Sequence, residues 1–136
     1  MEKRDYIETM IEQMGLFLKR LLSDLIKNNG TENIDQTINS IEELFEKEFK
    51  ISIQNIILQS ENDFENFLLK NKFNSNHLES LSEILFQMSL SKKNTEKNFI
   101  LLKEKAVFLL DLVDSISNSY SIERNFKKNN ILNTKY

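Results

Sequence analysis

The chain has 136 residues, a net charge of -3, 40% hydrophobic and 29% charged residues, no cysteine, no proline, and glycine only at positions 15 and 30. Disulfides, thiolate metal sites and cysteine nucleophiles are therefore excluded outright, and phosphate cradles built on glycine-rich loops have no raw material. The acidic balance gives no general attraction to nucleic acid, and the length suits one domain, 1–136, with a single core.

Helices follow from the scarcity of turn residues, and the pattern places them in order. On a helical wheel Tyr6, Ile7, Met10, Ile11, Met14, Phe17, Leu18, Leu21, Leu22 and Leu25 fall within an arc of roughly 160°. This predicts a first helix ending near Asn28, with Asn29 or Gly30 as its left-handed stop. Ile34, Ile38, Ile41, Leu44, Phe45 and Phe49 predict a second helix over 34–49, with Asn33 and Gln36 spaced as a capping box. Residues 51–58 carry isoleucines readable at either period. A short helix is expected there, because an isolated strand would have no partner.

Ser60 is the expected N-cap of a fourth helix packing through Phe64, Phe67, Leu68 and Phe73, with Glu61 and Asp63 in its first turn. Ser75 or Asn76 should cap a fifth, bearing Leu78, Leu81, Ile84, Leu85 and Met88. Asn94 or Thr95 starts the sixth and most apolar, in which apolar residues from Phe99 to Ile116 wrap more than half the circumference. Ser121 should cap the last helix, with Ile122, Phe126 and Ile131 facing inward, and residues 132–136 fraying. The expectation is an all-α fold of six to seven helices, either a bundle or a short solenoid-like stack of antiparallel pairs.

No run reaches the roughly 18 uninterrupted apolar residues of a membrane span; the nearest begins at Ala106 and is broken by Asp111. Asp5, Glu8 and Glu12 break the apolar run that a signal peptide would need, so a cytoplasmic location is expected.

Two segments, RDYIETMIEQMGLFLKRLL at the start and LLDLVDSISNSYSIERNFK near the end, resemble a family of small uncharacterised bacterial proteins. The matching residues are Asp5, Tyr6, Ile7, Ile11, Glu12 and Gln13, then the aromatic-Ser-x-Glu-Arg signature of Tyr120, Ser121, Glu123 and Arg124. The resemblance covers the two ends. It implies a tetratricopeptide-like body and no activity.

Chemistry is sparse. His77 is the sole histidine, so any triad or histidine-based metal site must use it; its setting in NSNH favours a structural or solvated role. Asp111 and Asp114 lie one turn apart on the sixth helix, and Glu42, Glu43 and Glu46 group on the second. Without a Glu-x-x-His partner they read as solvated helix faces rather than metal ligands. No catalytic residue, cofactor or metal is expected.

Lys105 falls inside the apolar arc of the sixth helix, where an amine must snorkel outward, meet an acid, or line a groove for an acidic partner segment. Arg124 is expected to bind a carboxylate of the first helix, such as Asp5 or Glu12, with an acidic partner as the alternative. The basic tail of Arg124, Lys127, Lys128 and Lys135 makes nucleic acid a weak further partner.

The favoured function is a non-enzymatic helical protein-interaction or scaffold module, binding a protein or peptide through apolar residues off the main stripes: Leu16, Ile26, Phe86 and Val107. The alternative is a homodimer assembled through the first helix, where Ile7, Ile11, Met14, Leu18, Leu21 and Leu25 step 4, 3, 4, 3, 4 as a heptad seam. An enzyme is less expected.

Overall fold

The computed structural model describes residues 3–136; Met1 and Glu2, counted in the expected domain, lie outside the described residues. Within them are seven α-helices and no strand: α1 (Lys3–Asn28), α2 (Ile34–Phe49), α3 (Ile53–Leu58), α4 (Glu61–Lys70), α5 (Ser75–Ser89), α6 (Glu96–Ser117) and α7 (Ile122–Asn133). The ambiguous isoleucine segment is helical, as expected.

Local chemistry sets most boundaries. The hydroxyls of Ser52, Ser60, Thr95 and Ser121 each accept a backbone N–H three residues on, capping α3, α4, α6 and α7. Gly30, at φ +79°, turns the chain after α1, a conformation that a Cβ would disfavour. The capping box expected at Asn33 does not form. Asn33 is itself in the helical region with no side-chain cap, and its N–H is taken by the Thr31 hydroxyl at 3.2 Å. The cap of α5 is Asn74 rather than Ser75 or Asn76, for a reason that involves His77 and is given below.

The helices assemble as hairpins that cross back on one another. α1 and α2 are antiparallel, with the rings of Phe17 and Phe49 6.2 Å apart. α5 and α6 form a second, tighter hairpin, in which the Ser82 hydroxyl donates to the Ala106 carbonyl at 2.7 Å. Both residues are buried, and their small side chains let the helices approach closely. α5 runs parallel to α1: His77 at its start meets Ile11, and Gln87 near its end accepts from the Asn29 amide at 2.8 Å. That pairing joins elements distant in the chain, whereas a solenoid joins sequence neighbours. The bundle form of the expectation holds; tetratricopeptide-like stacking finds no support in these contacts.

Seven phenylalanines weld the short helices to the hairpins. Phe45 and Phe49 of α2 lie 4.6 Å apart, Phe49 reaches Phe67 and Phe73, and Phe64 meets Phe108 of α6 at 5.8 Å. Centroid separations of this size are those of favourable aromatic pairs. Phe17 completes the group on α1. Deeper still, Leu18, Leu21 and Leu25 of α1 join Leu78, Leu81, Leu85, Leu109 and Leu110 in one continuous core.

Candidate interaction surfaces

Three polar arrangements position the surfaces of this bundle, and each departs from the simplest reading of the sequence. The first is His77, only 3% exposed and wedged between α1 and α5. Its Nδ1 accepts the Asn74 N–H at 3.0 Å while the Asn74 side-chain oxygen accepts the His77 N–H at 3.0 Å, a capping box in which histidine takes the usual glutamate position. That leaves Nε2 as the protonated nitrogen, donating to the Ile11 carbonyl at 2.9 Å. Burial pushes the imidazole pKa down, with the Ile11 carbonyl opposing in part. Both ring nitrogens are engaged, so His77 is a structural rivet. A Cβ on Gly15 would sit 3.4 Å from Nε2, in van der Waals contact with the ring.

The second is Lys105, 9% exposed. It neither snorkels free nor meets an acid. Its Nζ donates to the Gln59 carbonyl at 2.7 Å and lies 5.6 Å from the centre of the Phe64 ring. A carbonyl at the joint between α3 and α4 and an aromatic face together offset the desolvation of the ammonium. The side-chain oxygen of Gln59 is buried there without a donor.

The third arrangement fixes α7. Arg124 donates from Nε to Asp114 at 2.6 Å and stands 3.6 Å from Glu79 of α5. Lys128 pairs with Asp111 at 2.7 Å and also with Asp114. Asp5 and Glu12, the partners expected for Arg124, take no part. The carboxyl of Asp114 is held below its ordinary range by Lys128 and Arg124. Burial works against the charge of Lys128, and the two aspartates outweigh it, so its pKa rises. The two aspartates are therefore one half of an ion-pair network, in which Asp114 is largely covered while Asp111 keeps the solvent exposure expected of it.

Arg124, Lys128 and Ile131 are spaced four and three apart and share one face of α7. This face, not that of Ile122 and Phe126, turns inward. Ile131 is buried, while Ile122 is 80% and Phe126 75% exposed. The inward placement expected for those two is overturned because α6 offers Asp111 and Asp114 one turn apart, a charged stripe that selects the cationic stripe of α7. The tail expected to fray is tied back to α6: the Tyr136 hydroxyl donates to the Asn94 carbonyl at 2.8 Å, and its ring lies 5.4 Å from Phe99.

The expected interface residues therefore separate. Leu16 is 66% exposed, and Ile26 is also open to solvent, as expected. Phe86 is 7% exposed, buried where it shares a groove with Ile131, and Val107 is half-buried against the core; neither is a free surface residue. In the proposed heptad seam, Leu18, Leu21 and Leu25 are fully covered by the protein's own bundle, and only Ile7, Ile11 and Met14 remain half-buried. A dimer along the whole of α1 would have to unfold the core first.

Missed by the sequence reading is a groove of about 790 Å³ between α5 and α7. Phe86 and Ile131 form its floor, Ile122 and Phe126 its wall, and Glu83, Glu123 and Lys127 its rim. A cleft of about 190 Å³ near Asp35, Glu42, Gln54 and Asn98 is smaller than the roughly 300 Å³ at which small-molecule sites begin. Among the described residues no three of His, Cys, Asp and Glu stand where they could hold one metal ion, and no helix is long and apolar enough to cross a membrane. Compared with protein-family models, curated proteins and solved structures, the chain matches none.

Proposed function

We propose that this protein is a non-enzymatic helical interaction module that docks a protein partner on α7 and the adjoining flank of α5. One observation carries the reading: Ile122 and Phe126, one turn apart, face solvent from a helix whose opposite face is pinned by ion pairs. Helix-in-groove recognition reads anchors at this spacing, and a partner covering them would remove an exposed apolar surface of the kind that marks interaction sites. The engagement of both His77 nitrogens supports a structural rather than a catalytic role for the only imidazole. Pairing of Arg124 and Lys128 within the chain weakens the case for nucleic acid, since both charges are already neutralised. The resemblance of the chain ends to small bacterial helical proteins fits the same reading: in the Ser-x-Glu-Arg run, Ser121 caps α7 and Arg124 anchors it.

Capture of host proteins on the immobilised chain, set beside an Ile122→Asp, Phe126→Asp double variant, tests it. A partner retained by the native chain and lost with the variant, at unchanged melting temperature, is expected. Identical captured sets would overturn the assignment of this surface.

A further inference from the structure

We propose that the occupant of the α5/α7 groove is α7 of a second copy of the same chain, related by a two-fold axis that passes midway between Glu123 and Lys127, level with Asn125. The inference rests on the docking reading above and names the partner. Three features of the groove point to self-association. It holds both knob and hole: the projecting Phe126 and Ile122 stand next to the apolar floor of Phe86 and Ile131. An interface in which each copy offers the same patch requires this combination, because what protrudes from one must enter the other.

Its charges are arranged in an order that a two-fold reverses. Glu123 and Lys127 flank Asn125 symmetrically in sequence, on one exposed side of α7, and hold each other only loosely, at 4.0 Å. When two copies of α7 cross antiparallel at Asn125, Glu123 of each faces Lys127 of the other, and the apolar pair lies alongside. A partner of one charge sign would leave either Glu123 or Lys127 uncompensated at the rim. A second copy compensates both.

The size of the surface sets the strength. Two large side chains at these exposures and their flanking charges bring on the order of 400–600 Å² per copy out of water, short of the roughly 800 Å² of a standard interface. The dimer is therefore weak and reversible, with a dissociation constant on the order of 10–100 μM.

Sedimentation velocity of the full chain from roughly 1 to 500 μM tests this. The native chain should pass from monomer to dimer over that range, and Phe126→Asp should remain monomeric. Glu123→Lys and Lys127→Glu should each weaken association at least about tenfold, since each sets like charges opposite one another, and an equimolar mixture of the two should restore it as a heterodimer. Circular dichroism melts of each variant separate loss of association from loss of fold, and recovery in the mixture can come only from folded chains. A native chain monomeric at the highest concentration, or a mixture no more associated than its components, overturns the proposal. If the chain stays monomeric while capture of other proteins still depends on Phe126, self-association falls and the interaction reading stands. If the charge swap works while that capture ignores Phe126, self-association stands and docking of any other protein at this surface falls.

Discussion

The α5/α6 hairpin and α7 are neighbours built on opposite principles. α5 and α6 meet through Leu78, Leu81, Leu85, Ala106, Leu109 and Leu110, all buried, and their one side-chain hydrogen bond merely seals a close approach. α7 meets α6 through Arg124 and Lys128, with Ile131 as its only buried apolar side chain, and turns its larger apolar residues outward. Burial is non-directional and holds a helix in whatever orientation hides most area, whereas a charged stripe fixes one rotation about the helix axis. α7 is thus oriented by charge, and its apolar face is left free to do something else.

One residue type tests this contrast in both regions. Phe45→Ala, at the fully buried centre of the aromatic group, should lower unfolding free energy by about 3–5 kcal/mol in urea titrations, while Phe126→Ala should change it by less than about 0.5 kcal/mol. Comparable losses at the two sites would show that Phe126 is packed inward and that apolar burial holds both regions.

His77 sharpens it from the other side, since it rivets α5 to α1 by directional bonds inside the core. Replacing it by alanine leaves the Asn74 N–H without an acceptor and takes from the Ile11 carbonyl the second donor that joins α5 to α1, and should cost about 1–3 kcal/mol. The pH dependence has a definite sign. The folded protein holds the imidazole below its ordinary pKa of 6.5, so the unfolded chain binds the proton first. The His77 contribution is complete above pH 6.5 and is lost as pH falls from there toward the folded pKa, where protonated Nδ1 would face the Asn74 N–H. Urea midpoints at pH 7.5 and 5.0 should differ more for the native chain than for His77→Gln; equal differences would remove His77 as the cause.

The helix order and most helix starts were legible in the sequence because they rest on local chemistry: Ser60, Thr95 and Ser121 cap in the way such residues do, and Gly30 takes its positive φ. The place of Lys105 in the apolar arc was legible, but neither its burial nor its partner, since a carbonyl at a distant helix joint leaves no mark in the pattern. Asn74 was missed as a cap because the other half of its box is a histidine held by α1. The candidate surface was misread for a deeper reason. Periodicity records that Ile122 and Phe126 share a face, and that Arg124, Lys128 and Ile131 share another, without recording which face α6 will attract. Knowledge that Asp111 and Asp114 stand opposite would have decided it.

A smaller effect probes backbone conformation at the edge of the core. Lys50 ends α2 in the left-handed region at φ 61°, where a Cβ is disfavoured. Lys50→Gly should stabilise the fold by up to about 1 kcal/mol in thermal or urea unfolding. A loss instead would mean that the lysine side chain contributes more than its backbone conformation costs.

The central claim, that charge and not apolar burial docks α7, is tested most directly by amide hydrogen exchange on Asp114→Asn. That change removes the carboxylate shared by Arg124 and Lys128 without altering the shape of α6. The amides of α7 should lose protection while those of α5 and the first half of α6 keep theirs. Unchanged protection in α7, or a parallel loss across α5, α6 and α7, would contradict it.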